Sequence, residues 1–123
     1  MNTTLKLTTA AAALIFALPT FADDKYEHFK GEPSKTLEQA VANFSEYNNR
    51  LERVLAGELT PETMNEVHQL TYTLENALGK LDSELADIAE RLEKVHKASE
   101  HADPGTVKKQ GMVYLDKSQT IVK

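Results

Sequence analysis

The stretch "VHQLTYTLENALGKLDSELADIAERLEKV", residues 67–95, decides the fold, because its apolar residues are spaced alternately by three and four. This spacing is typical of a helix that packs one face against other helices. The repeat continues in phase beyond both ends of the stretch. Its members, which we call the heptad seam, are Met64, Val67, Thr71, Leu74, Leu78, Leu81, Leu85, Ile88, Leu92, Val95, Ser99 and Ala102. The seam predicts one helix over residues 61–102, roughly 63 Å long at about 1.5 Å per residue.

Both ends of this helix carry recognisable signals. Thr60 is a suitable N-cap, and Pro61 suits the first helical position, where its missing N–H costs nothing. Asp103-Pro104-Gly105 ends the run. A break near Gly79–Asp82 would instead give an up-down four-helix bundle. The unbroken repeat across Gly79 and the absence of a nearby proline favour the long helix.

Shorter helices are expected on either side. Thr36 with Gln39 fits a capping box and predicts a helix over residues 37–56, ended by Gly57 in the left-handed conformation. Asp103 as N-cap predicts a third helix over residues 104–121, which its glycines weaken. The expected fold is all-α, an antiparallel helical hairpin or three-helix arrangement around one long central helix. Residues 36–123 form this helical domain, with the short helices end to end along one side.

The N-terminal residues are typical of an export signal. Lys6, the apolar run Ala10–Leu18, Pro19 and the small residue Ala22 follow the order of a secretory signal peptide over residues 1–22. The run is too short to span a bilayer, so we expect no membrane span after cleavage. Residues 23–35 read as an irregular polar arm, which Tyr26 and Phe29 are expected to hold against the helices.

Composition excludes several classes of function. The predicted mature chain has 13 Lys and Arg against 19 Asp and Glu, a net charge near −6, which disfavours nucleic acid as a partner. The sequence contains no cysteine, which excludes disulfides, thiolate zinc sites and cysteine nucleophiles. Phosphate-binding loops and hydrolase motifs are also absent from the sequence. We therefore expect no enzymatic activity and no cofactor.

One cluster on the long helix is a candidate binding site. Thr71 lies in the seam, and His68, Tyr72 and Glu75 form a ridge beside it. A polar residue in a seam can fix the register of packed helices. We expect the cluster to contact a neighbouring helix or the arm around Tyr26 and Phe29. A small polar pocket for a ligand or metal is the alternative.

A second group of residues allows a metal site. Glu93 and His96 have the Glu-x-x-His spacing of di-iron helical bundles, although a second copy of the motif is missing. At the corresponding place before His68, Asn65 stands where a carboxylate is needed. Three acid–base pairs at a spacing of four indicate a solvated helix face. These pairs are Asp87–Arg91, Glu90–Lys94 and Glu93–Lys97.

Four segments together resemble a known family. They are "EHFKGEPSKTLEQAVANFSEYN", "LTPE", "VHQLTYTLENALGKL" and "LEKVHKASE". The chain is similar in these segments to small exported bacterial helical proteins of unknown function with a His-x-Leu-Thr-Tyr-x-Leu-Glu stretch. The resemblance implies an all-helical fold and an envelope location, and it implies no reaction. A weaker similarity is to periplasmic stress chaperones with a Leu-Thr-x-x-Gln motif, where this chain has Thr63 in place of Gln.

These observations predict a non-enzymatic, soluble periplasmic helical protein that acts by protein–protein interaction. Its partner is another protein or a second copy in a homodimer, because a two-helix cross-section covers little apolar surface. The alternatives are a metal- or haem-binding periplasmic helical bundle and a stress-chaperone-like periplasmic protein.

Overall fold

A computed structural model describes residues 29–122 of the chain. It has three helices: α1 (Leu37–Leu55), α2 (Pro61–Glu100) and α3 (Pro104–Ile121). No strand occurs between residues 29 and 122. The predicted all-α arrangement around one long central helix is confirmed. The predicted signal peptide and Tyr26 lie outside the described residues.

The central helix is continuous. α2 runs unbroken through Gly79–Asp82, so the four-helix bundle that we considered as an alternative is wrong. Gly79 is exposed in the middle of α2, and a Cβ added there would meet no atom within 4 Å. The residue therefore does not interrupt the helix, and no close contact with the described residues requires a glycine there.

Side-chain caps fix where each helix begins. Thr60 and Thr63 form a reciprocal capping box, in which the Thr63 Oγ1 accepts from the Thr60 N–H at 2.7 Å. Asp103 accepts from the Thr106 N–H at 3.1 Å and starts α3. Thr36 caps α1 as predicted, but the Gln39 side chain accepts from the Lys35 N–H, one residue before the expected donor. These bonds satisfy backbone donors that a helix start leaves without partners.

The helix ends differ from the sequence prediction. α1 ends with Ala56 in the right-handed conformation, and Gly57 does not have a positive φ, so its predicted left-handed role is wrong. The left-handed residue is instead Ala102, with φ 50°, after the end of α2. The Asp103 N–H then donates to the Ala98 carbonyl at 2.9 Å, which is the long bond of a Schellman motif.

The short helices lie along α2 in succession. Arg50 and Val54 near the end of α1 lie beside Thr63 and Glu66 near the start of α2. Gln110 and Lys117 of α3 bond to Arg91 and Glu84 in the second half of α2. The start of α1 and the end of α3 meet along the helix, where they line one shallow depression formed by Glu38, Val41, Ala42, Asp116, Gln119 and Thr120.

The buried face of α2 is rotated from the predicted seam. The buried residues of α2 are Leu70, Thr73, Leu74, Ala77, Ile88 and Ala98. Only every second seam position, such as Leu74 and Ile88, points to the core. The alternate positions remain about half exposed, including Leu78 at 49%, Leu85 at 52% and Leu92 at 47%. The buried polar residue is Thr73, fully buried, whereas the predicted Thr71 is only partly buried.

Candidate functional site: the arm contact and the exposed face of α2

The arm is fixed to α2 by backbone hydrogen bonds. The Glu32 N–H donates to the buried Thr73 Oγ1 at 2.9 Å. The Asn76 Nδ2 donates to the carbonyls of Lys30 and Glu32 at 2.9 and 3.0 Å. Two side chains of α2, one turn apart along the helix, therefore hold three backbone groups of the arm. We call these residues, together with Gly31, the arm contact.

Gly31 is the residue that allows the arm to lie so close. Its φ is +65°, a conformation that side-chain-bearing residues rarely adopt. A Cβ at this position would lie 2.7 Å from the Thr73 N and 2.8 Å from the Tyr72 carbonyl carbon. Both conditions exclude a larger residue unless the arm moves away from α2.

Aromatic rings extend the arm contact to one side. The Phe29 ring meets the Tyr72 ring edge-on, with centroids 6.3 Å apart. The Tyr72 ring in turn lies 5.0 Å from the His68 ring, and the Tyr72 Oη is 3.3 Å from the His68 Nε2. Such edge-to-face pairs are favourable in addition to the area that they bury. The predicted packing of Phe29 on the helical body is confirmed.

The four residues of the predicted cluster, His68, Thr71, Tyr72 and Glu75, thus do not form one site. His68 and Tyr72 are in contact with each other, while the Thr71 Oγ1 donates to the His68 carbonyl of its own helix at 2.7 Å. Glu75 is exposed one turn away. Thr73 and Asn76 were missed, although Leu70, Thr73, Leu74 and Ala77 have the spacing of a second helical face and Gly31 marks a close backbone approach.

A row of exposed apolar side chains runs along the other side of α2. Met64, Leu78, Leu85 and Leu92 occupy one position of the heptad and are 47–53% exposed. Thr71 and Ser99 occupy the same heptad position. Gly79, Ala86 and Ala89, all exposed, lie beside these leucines. We call the six residues of this heptad position the α2 stripe.

Charged groups join α3 to the second half of α2. The Lys117 Nζ donates to Glu84 and to Asp87, each at 2.7 Å, and the Arg91 Nε donates to Asp87 at 2.8 Å. Hydrogen bonds from Lys117 and Arg91 lower the pKa of Asp87 to about 2, and the bonds to Asp87 and Glu84 raise the pKa of Lys117. Asp87–Arg91 thus belongs to a helix contact, and its predicted place on a solvated face is wrong.

The residues of the alternative metal site are each paired with another side chain. The Glu93 carboxylate lies 3.0 Å from the Lys97 Nζ, and the His96 Nε2 lies 3.3 Å from the Glu100 carboxylate. Within residues 29–122, no group of three or more His, Asp or Glu side chains is arranged to hold a metal ion. The described helices also include none that is long and apolar enough to cross a membrane.

The whole sequence, residues 1–123, matches the model of a protein family described as a family of unknown function, DUF6746. The chain belongs to this family. No curated protein and no solved structure matches the chain. The family therefore confirms the predicted membership of a family of unknown function and assigns no reaction to the site.

Proposed function

We propose that the chain is a non-enzymatic periplasmic protein that acts by protein–protein interaction through the exposed face of α2. The α2 stripe is the observation that carries this proposal. Its leucines recur every seven residues along one helix, with Met64 two repeats before Leu78, and all four side chains remain about half exposed in the folded chain. Scattered exposed leucines need no explanation, but an aligned apolar row marks a surface that gains by being covered.

The arm contact supports the same proposal from the other side of α2. It fixes residues 30–32 of the arm with hydrogen bonds to Thr73 and Asn76, on the side of the helix away from the stripe. The arm contact is therefore a structural feature, in which buried polar atoms already have partners. Met64, Leu78, Leu85 and Leu92 of the stripe instead offer exposed apolar surface.

Export is proposed from the sequence of residues 1–22. Cleavage after Ala22 would release a mature chain with a net charge near −6, which suits a soluble envelope protein. The test is the intact mass of the chain recovered from the periplasmic fraction of bacteria that express it. A mass corresponding to residues 23–123 supports export, and an uncleaved chain in the cytoplasmic fraction contradicts it.

The interaction is tested by photo-crosslinking in those cells. A photoreactive amino acid at Leu85 reports on the stripe, and the same amino acid at Met112, which is 63% exposed on α3, is the matched control. We expect discrete adducts from position 85 and none from position 112, because the exposed apolar residues of the stripe extend from Met64 to Leu92, whereas Met112 has only Leu115 as a large exposed apolar neighbour on α3. Equal adduct patterns at both positions would contradict the proposal.

A further inference from the structure

We propose that the α2 stripe binds the stripe of a second copy of this chain, with the two α2 helices antiparallel. The inference rests on the proposed function and names its partner. A two-fold axis between Leu78 and Leu85 places Leu78 of one copy opposite Leu85 of the other. Thr71 then lies opposite Leu92, and Met64 opposite Ser99. The leucines of the two copies thus meet at the centre, the polar Thr71 and Ser99 meet apolar residues towards the ends, and both copies present the same residues, as in any two-fold interface.

Gly79 is an independent observation at the centre of this arrangement. It lies in the interior of the longest described helix, where glycine is unfavourable, and a Cβ added there would meet no atom of the described residues within 4 Å apart from its chain neighbours and the backbone of its own helix. In the antiparallel pair, Gly79 of one copy lies opposite Ala86 of the other. Two small residues at this place allow the helices to approach closely enough for the leucines to interdigitate.

The charges beside the stripe favour the antiparallel orientation. Glu75, Asp82 and Ala89 are exposed and share a heptad position next to the stripe. In a parallel pair centred on the stripe, this row would face the row on the other side of the partner's stripe, so the Glu75 and Asp82 carboxylates would lie against the apolar Leu74 and Leu81. In the antiparallel pair, Glu75 faces Ala89 and only Asp82 faces itself, which leaves one unfavourable meeting in place of two.

The length of the stripe is sufficient for a modest interface. From Met64 to Ser99 the helix rises about 52 Å, at about 1.5 Å per residue. With a contact width of about 10 Å, set by the distance between packed helices, each copy buries about 500 Å². The total of about 1,000 Å² is near the lower limit for a biological interface and within the range of weak, transient pairs. We therefore expect a dimer whose dissociation constant is in the micromolar range.

Sedimentation of the purified mature chain tests the pairing. We expect a concentration-dependent monomer–dimer equilibrium between about 1 and 200 µM. Leu78→Gln/Leu85→Gln should raise the dissociation constant at least about 10-fold, while Met112→Gln, exposed on α3, should leave it unchanged. Glutamine is a good helix former, so the far-ultraviolet circular dichroism of each variant should remain that of the parent.

Gly79→Gln separates the interface from the fold. Because the position is open within the chain, glutamine should raise the melting temperature of the monomer. It should also weaken the dimer about 3- to 10-fold, because the longer side chain prevents the close approach of the two helices. Ser83→Gln, on the side of α2 away from the stripe, is the control and should leave the dissociation constant as it is.

Single engineered cysteines determine the orientation, because the natural chain contains none. In the antiparallel pair, Asp82→Cys should form a disulfide with its own copy, whereas Ala89→Cys should not. A mixture of Ala89→Cys with Glu75→Cys should form the mixed disulfide.

Efficient self-linking of Ala89→Cys would overturn the antiparallel arrangement. A chain that is monomeric at 200 µM would overturn the dimer. If position 85 still forms adducts with other proteins in cells, the proposed function survives that result.

Discussion

The two halves of α2 belong to one helix and one repeat, yet they are stabilised in different ways. The first half contains the buried residues Leu70, Thr73, Leu74 and Ala77, and it is covered by α1 and the arm. The second half contains Ile88 and Ala98, and its partner α3 has no buried residue. The first half is thus held by a small core and by hydrogen bonds to the arm, and the second by half-buried apolar side chains such as Val95 together with charged side chains at the contact with α3.

This difference has consequences for stability. Apolar burial and buried hydrogen bonds are not weakened by ionic screening, whereas partly exposed ion pairs are weakened by salt and by protonation. Structures also open locally where few apolar contacts hold them. We therefore expect α3 and the second half of α2 to open before the first half.

The largest effect is expected from the core of the first half. Leu70 is 2% exposed, and Leu70→Ala should cost about 3–4 kcal/mol, because it removes buried methyl groups and leaves a cavity. Ile88 is the corresponding core residue of the second half and is 8% exposed. Ile88→Ala should lower the free energy of unfolding by about 2 kcal/mol. Urea denaturation of both variants measures the difference. Equal losses would contradict the comparison of the two halves.

The next effect is expected from the buried hydroxyl of the arm contact. Thr73→Val keeps the shape of the side chain but removes the acceptor for the Glu32 N–H, which should cost about 2 kcal/mol. Hydrogen exchange of the Glu32 amide should become faster in the same variant. Thr71→Val is the matched control, because the Thr71 hydroxyl bonds only within its own helix, and it should change stability by less than about 0.5 kcal/mol.

Two glycine substitutions should have effects of opposite sign. Gly31→Ala places a Cβ against the backbone of α2 at a positive φ, and should cost about 1–2 kcal/mol as the arm is displaced. Gly79→Ala fills open space in a helix and should stabilise the chain by about 0.5–1 kcal/mol. Thermal unfolding of both variants is the measurement. A loss of stability in Gly79→Ala would mean that the position is crowded in the folded protein.

The sequence predicted the helices because their start signals are local. Caps such as Thr60 and Asp103 bond to backbone groups three residues away, so a short window of sequence contains the whole interaction. The unbroken repeat across Gly79 likewise predicted the continuous central helix. These features depend on neighbours along the chain rather than on the packing of distant segments.

The face that α2 buries could not be predicted in the same way. The heptad repeat has two apolar rows, and either side of the repeat can meet the short helices. The choice depends on where α1, α3 and the arm lie, and it made Thr73 rather than Thr71 the buried polar residue. The hydrogen bond that decides this joins Glu32 and Thr73, which are 41 residues apart. A repeat within one helix contains no information on such a contact.

The smallest effect is expected from the charged contact of the second half, and it depends on pH. The pKa of Asp87 is lowered from 3.8 to about 2 in the folded chain, so the stability that its ionised form contributes is present above about pH 4 and is lost as the pH falls through about 2. Lys117→Met removes the main cause of this shift. At pH 6 the variant should melt a few degrees below the parent, and the difference should shrink towards zero near pH 2.

For comparison, the lowering of the melting temperature by Thr73→Val should persist over the same pH range, because neither the Thr73 hydroxyl nor the Glu32 N–H titrates there. If the Lys117→Met deficit were equally constant, α3 would be held to α2 by packing rather than by charge.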